Sequence, residues 1–258
     1  MAYDFDGTND KIAHGDIAAL DAFANATIAF WLRQNTWTSG EGIMGKGSGN
    51  WRIIQYPASA QFTFQDFGPS NARGETTTTA IPVGEWHHVA VVFDGAGAAN
   101  TDKLKIYVDG TSVSLTYTGT FGTTVGAATA TALEVGTEHF GSSFGDITIA
   151  HLKIWSVSLT AGEVLQEVYS YLPQTQKASL ILWAPYDEFG TAAADLSGQN
   201  NNGTITEAAI IDGPPAVNRG AGQLILPQRT VGLRTSRSRR GAFRNSFGPL
   251  VPNFIEPR

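Results

Sequence analysis

The chain reads as an all-β protein, an antiparallel two-sheet sandwich or jelly roll. Three observations carry that reading. Runs rich in β-branched and aromatic residues, several alternating polar and apolar, follow one another from Thr27 to Trp183. Only one segment repeats apolar residues at helical spacing, and it comes late. No strand–helix–strand alternation occurs, which sets aside a doubly wound nucleotide-binding fold.

The elements follow in order. Thr27–Arg33 is a β-rich run between Asn25 and Gln34-Asn35. Trp51–Tyr56 follows the turn-like Gly47-Ser48-Gly49-Asn50 and stops at Pro57. Gln61–Phe67 alternates polar and aromatic residues, the period of a half-buried strand. Trp86–Phe93 has a more continuous apolar end, as expected deep in a sandwich. Lys103–Val108 alternates cleanly, and Asp109-Gly110 is a two-residue turn into Thr111–Tyr117. Ile147–Trp155 reads as a further strand. Thr160, with Glu163 three residues on, forms a capping box that opens the helix. Val164, Leu165, Val168 and Tyr169 are expected on its one apolar face, and it stops before Pro173. Strand signals resume at Leu180–Trp183, followed by a Gly-, Asn- and Asp-rich stretch to Gly203.

Composition divides the chain near Pro227. Residues 1–226 carry a net charge of −12, whereas residues 227–258 hold seven arginines, one glutamate and no lysine. The division expected is a sandwich over 1–226 and an extended arm over 227–258. Thirty-two residues so poor in aliphatics bury too little apolar area to offset chain entropy alone. Arg234, Arg237, Arg239, Arg240 and Arg244, interleaved with Phe243, Phe247 and Phe254, are residue types enriched at protein interfaces. Pro227, Pro249, Pro252 and Pro257 favour an extended course. The arm is therefore read as an anchor onto copies of this chain or other proteins of an assembly. An Arg-Thr-Ser-Arg-Ser-Arg-Arg run could neutralise phosphates, but the acidic body argues against nucleic acid as the partner. Cysteine is absent, which excludes disulfides, zinc-thiolate sites and thiol nucleophiles. Neither an apolar signal region at the start nor a run of membrane-spanning length is visible.

Four segments in order resemble the laminin-G-like, concanavalin A-like jelly-roll family of bacterial surface and phage proteins. Phe5-Asp6-Gly7-Thr8-Asn9-Asp10-Lys11-Ile12 resembles its opening "FDGxxDxI" strand, and Thr27–Leu32 its "TIxxWL" strand. Gly84–Ala90 is close to "GxWHHVA", and Leu104–Gly110 to "LxxYVDG". Ile149–Val164 is similar to the closing strand and the helix start. A fifth stretch, residues 182–210, resembles what usually precedes "FDG", here displaced to the end. The resemblance implies that this stretch completes the sandwich from the other side, as in a circular permutation, or is a remnant of a repeat. Where many relatives carry adjacent acids near a calcium site, this chain has Ala150 and His151.

The chemistry-bearing residues are few. Two or three carboxylates on one strand face would be needed for glycoside hydrolysis, and none is spaced so. Asp4 and Asp6 share a face but are expected to cap turns. His87 and His88 face opposite ways on a strand and cannot share a ligand; by resemblance they are a structural pair, one ring capped by backbone and one facing out. Asp94, Asn100 and Asp102 place oxygen donors in a Gly-rich loop, of the type Ca²⁺ prefers. The same residues also make ordinary turns. For sugar binding, Trp37 is the better exposed aromatic candidate, with Trp51 as another. Glu138 and His139, in a Gly-flanked loop, could add hydrogen bonds. Trp31, Trp86 and Trp155 are assigned to the core. Together these point to a non-enzymatic structural or adhesion protein of a phage virion, a decoration or tail component made in the host cytoplasm. A free glycan-binding adhesion module on an extracellular surface is the alternative, and a polysaccharide hydrolase comes third.

Overall fold

The computed structural model describes residues 1–37, 40–47, 50–56, 61–68, 70–77, 80–127, 130–138 and 143–216. They form two face-to-face sheets in which every strand pair is antiparallel. The first sheet contains β1 (Ala2–Asp6), β3 (Asn25–Gln34), β8 (Trp86–Asp94), β9 (Leu104–Val108), β10 (Thr111–Ser112), β13 (Asp146–Trp155), β14 (Leu180–Ala184) and β17 (Ala209–Ile211). The second contains β2 (Lys11–Asp16), β4 (Gly42–Lys46), β5 (Trp51–Tyr56), β6 (Gln61–Asp66), β7 (Arg73–Thr76), β11 (Leu115–Thr118), β12 (Ala132–Val135), β15 (Ala192–Ala193) and β16 (Gly203–Thr206). Its order is β11–β7–β6–β5–β4–β12–β2–β16–β15. This is the concanavalin A-like sandwich.

The core lies between the sheets. Phe5, Ile28, Phe30 and Leu32, Val89, Val91 and Phe93, Ile147 and Ile149 face Trp51, Ile53, Phe62, Phe64, Leu133 and Val135 across it. Alternation along each strand sends every second side chain inward. At the Asp109-Gly110 hairpin both residues take positive φ, 50° and 78°, as a type I′ turn requires.

Residues 180–211 are built into both sheets. Along the edge of β13 opposite β3, β1 pairs with Asp146–Ile149 and β14 with Leu152–Trp155. The changeover falls at His151, where the ladder to β3 bulges and φ is 52°. There the His151 N–H turns to the Pro185 carbonyl at 3.1 Å. Two short strands from distant parts of the sequence thus share one long edge. β16 and β17 pair with β2 and β1.

Two α-helical segments occur among the described residues, beside 3-10 turns at Ala18–Leu20 and Lys177–Ser179. A single turn, α1 (Asn100–Lys103), precedes β9 where an open loop is expected. The second, α2 (Ala161–Val168), begins with the capping box: Glu163 N–H donates to Thr160 Oγ1 at 3.3 Å, and Thr160 N–H to Glu163 Oε2 at 2.8 Å. Its buried face differs from the expected one. Val164 and Val168 are buried, but Leu165 and Tyr169 are 43% and 46% exposed. One residue on is a turn of about 100° on a helix, so those two point away. Glu167 takes the third buried place because Lys153 of β13 lies beneath it, Nζ to Oε2 2.7 Å.

Candidate functional site

The outward face of the second sheet carries a polar row set by strand register. Glu134 on β12 lies opposite Gly45 on β4, Gly45 opposite Arg52 on β5, Arg52 opposite Gln65 on β6, and Gln65 opposite Arg73 on β7. Arg52 is the hub. Its Nε and Nη2 donate to Gln65 Oε1 at 3.1 and 2.9 Å, and Nη1 meets the Glu138 carboxylate. Its guanidinium lies 4.7 Å from the centre of the Phe67 ring. Lys11 pairs with Glu134 at 2.7 Å, and Arg73 with Glu75 at 3.0 Å.

Two chain segments meet at the end of this row. The stretch after Trp37 is tied to β5: Gly40 N–H donates to the Gln55 carbonyl and Gln55 N–H to that of Glu41, each at 2.9 Å. At the end of the segment that carries Glu138, Gly42 N–H (3.1 Å) and Glu138 N–H (3.2 Å) both donate to the Ser143 carbonyl. Glycine is required at 42, because a Cβ there would lie 1.9 Å from the Glu138 nitrogen. Trp37 is half-buried, and its indole N–H is shielded with no hydrogen-bond partner among the described residues. Among the described residues Gln34 and Gln55, both fully buried, also leave their amide nitrogen and oxygen unpaired. Each unmade bond of this kind costs about 1–3 kcal/mol.

Of the residues singled out in the sequence, Glu138 therefore reaches Arg52, and Trp37 precedes by three residues the Gly40–Gly42 stretch that borders the Glu138 segment. His139 lies outside the described residues, as do Arg234, Arg237, Arg239, Arg240, Phe243, Arg244, Phe247 and Phe254. Trp51 is no stacking platform: it is fully buried and donates from Nε1 to the Leu20 carbonyl at 3.2 Å. Trp155 is a core residue of α2's cluster, while Trp31 and the half-buried Trp86 lie on the outward face of the first sheet. Asp94, Asn100 and Asp102 work locally. Asp94 Oδ1 accepts from Ala96 N–H, Asp102 Oδ2 from Ala99 N–H, and Asn100 Oδ1 from Phe121 N–H, at 3.0, 3.1 and 2.9 Å. Among the described residues no group of three or more His, Asp or Glu is placed to hold a metal ion.

Two finer expectations change. Asp6 caps a turn through Thr8 N–H at 2.9 Å, but Asp4 accepts from Asn35 Nδ2 at 2.9 Å and Thr148 Oγ1 at 2.6 Å. His87 Nδ1 meets Asp109 Oδ2 at 2.7 Å, so a carboxylate holds that ring, not backbone. His88 is buried edge-on against Trp31 and does not face out. Arg52, Gln65 and Phe67 were not among the candidates read from sequence. Part of their signal was there in the alternation of β6, where Gln61, Thr63 and Gln65 share the face opposite to Phe62 and Phe64.

The fold is a lectin-like β-sandwich. Residues 6–165 match the family model described as the concanavalin A-like lectin/glucanases superfamily, and the chain belongs to that superfamily. Among curated proteins none matches the sequence. A solved candidate carbohydrate-binding protein from Bacteroides ovatus is similar, with 18% identity and a TM-score of 0.59 over 84% of this chain. This chain spans 61% of that protein's length. A heptameric serum-amyloid-P-like pentraxin from Limulus polyphemus aligns with 17% identity and a TM-score of 0.48, over 65% of this chain and 81% of its own.

Proposed function

We propose that this protein is a non-catalytic glycan-binding module whose site is the rim formed by Trp37, Arg52, Gln65 and Glu138. The observation that supports it most is the pairing of chemistries at that rim. Planar amide, guanidinium and carboxylate groups of Gln65, Arg52 and Glu138 are held there in fixed positions, and the half-buried Trp37, three residues before Gly40, would supply a flat face for stacking. The likeness to the Bacteroides ovatus protein is in keeping with this. A glycosidase needs one of two carboxyls protonated beside the scissile bond. Here Glu134, Glu138 and Glu75 each face a cation instead.

Screening the protein on a glycan array, then calorimetry with the sugars found, tests the proposal. Trp37→Ala and Arg52→Ala are each expected to lose about 1–3 kcal/mol of binding, the cost of truncating an anchor, with no sugar released by hydrolysis. Reproducible turnover abolished by changing one Asp or Glu would overturn the non-catalytic reading.

A role in a larger assembly, a phage virion, is supported by the sequence of residues 227–258. Its arginines would meet the acidic bodies of sister copies. Deleting 227–258 is expected to leave the sandwich folded and to abolish multimer or particle incorporation. Replacing Arg237, Arg239 and Arg240 with Ser should weaken incorporation and its salt dependence. Equal incorporation of full-length and truncated protein at two salt concentrations would refute the assembly role.

A further inference from the structure

The outward face of the first sheet holds a buried imidazole pair with nothing to stabilise its charge. His88 on β8 and His151 at the β13 bulge are 2% and 9% exposed, and the Nδ1 atoms of both are buried with no hydrogen-bond partner among the described residues. The Trp31 indole, between them in the sheet, is also buried and unpaired at Nε1. Tyr171 closes the group from above. Its ring stacks on His151 at 4.1 Å and 10° and meets Trp31 edge-on at 6.3 Å.

The same tyrosine ties down the last described stretch of chain. Its hydroxyl donates towards the Pro214 carbonyl at 3.1 Å and contacts that of Pro215. Just before it, β17 pairs Ile211 with Ala2, Ile210 with Tyr3 and Ala209 with Asp4. Gly213 lies so close to Met1 that a Cβ would be 2.7 Å from its carbonyl oxygen. Residues 209–216 are thus a strap held at one end by a three-residue edge ladder and at the other by Tyr171.

Protonation of either imidazole has no outlet in this arrangement. From its own strand His151 faces Lys153, from β8 it faces His88, and from the chain start the α-amino group of Met1. All would be cations. The nearest buried anion, Glu167 on α2, is occupied: Oε2 by Lys153, and Oε1 by Gln174 N–H, Thr175 N–H and the Thr175 hydroxyl. On the neighbouring loop, Glu188 faces Tyr3 and Tyr186, and Asp187 and the strap's Asp212 are exposed. Burial first, then these cations, push both histidines down to about 3.

We propose that His88 and His151 form an acid-operated latch: their protonation lifts Tyr171 off His151 and releases residues 209–216 from the β1 edge while the sandwich stays folded. Opening hydrates both rings and needs only a short edge strand and one tyrosine to move, so it is the cheapest way to admit the charge. Residues 217–258 follow directly on the strap, so their tether to the body becomes sensitive to pH.

Hydrogen exchange on the full-length protein, corrected for intrinsic rates, tests this. Between pH 7 and pH 5 the amides of residues 209–211 and their β1 partners are expected to lose at least about tenfold in protection, as local opening allows. The β3–β8 ladder should change far less. In the His88→Gln/His151→Asn double variant, the pH dependence at 209–211 should vanish; asparagine tolerates the positive φ at 151. Tyr171→Phe, which keeps the stack but removes the hydroxyl, should raise exchange there at both pH values. Imidazole titration of the unaltered protein by NMR provides the second readout, with His88 and His151 still neutral at pH 7 and their midpoints below the ordinary 6.5. Unchanged protection at 209–211, a loss in parallel with β3–β8, or a pH dependence surviving in the double variant would each overturn the latch.

Discussion

Replacing Lys153 with methionine is expected to destabilise the protein by about 3–5 kcal/mol, the usual cost of stranding one half of a buried ion pair. Lys153 and Glu167 are 2% and 0% exposed at the side chain, with Nζ 2.7 Å from Oε2. Lys153 Nζ also donates to the Ser170 carbonyl at 2.7 Å, while Glu167 Oε1 collects the N–H groups of Gln174 and Thr175. The pair therefore fixes α2 and the 170–175 stretch onto the sheet, Tyr171 included. Burial pulls the Lys153 ammonium down and Glu167 pulls it back up, so the pair is balanced only while both members are present. In urea titrations, Lys153→Met/Glu167→Leu should cost clearly less than the sum of the two single changes, because it leaves no orphaned charge. Additive losses would show that the pair is uncoupled.

Acid should act through the histidines well before it acts through the carboxylates. His88 and His151, near 6.5 in an unfolded chain, are held down to about 3 by burial and neighbouring cations. A group whose pKa is depressed on folding binds its proton more readily when unfolded, so stability is complete above pH 6.5 and drains as pH falls from there towards 3. At pH 5 each ring takes about 2 kcal/mol from the latched state, on the scale of 1.36 kcal/mol per unit. Buried His14 shifts in the same direction. Glu163 and Asp195, held low by hydrogen bonds, lose their contributions only as pH falls through the carboxylate range. Urea unfolding at pH 7.5 and pH 5 should therefore differ by up to about 4 kcal/mol, and His88→Gln/His151→Asn should remove most of the difference. An unchanged midpoint between these values would contradict the buried, neutral state of both rings.

What was legible in the sequence was local. The Asp109-Gly110 hairpin and the Thr160 capping box are each decided within a few residues, and both stand in the structure. Alternation marked the core-facing residues of β6, Phe62 and Phe64. Partnerships across long separations were not legible. Nothing local says that Arg52 will lie opposite Gln65 and reach Glu138, since register across the sheet decides it. Trp51 sits beside turn-forming residues, which made it a surface candidate, yet its strand carries it inward to Leu20. The buried face of α2 was misread because Glu167, by composition an exposed residue, is buried by a lysine 14 positions earlier. His151 stood out only for the acids it displaces, while its stacking on Tyr171 depends on where α2 ends.

The glycan site is tested most directly by NMR mapping of a bound sugar on the full-length protein, using a ligand identified on the array. Binding at the rim predicts shifts concentrated at the Trp37 indole N–H, the Arg52 Nε–H and the backbone amides of Gly42, Gln65 and Glu138. Shifts centred elsewhere, such as the Asp94–Asp102 loop, or no binding by any sugar on the array, would contradict it.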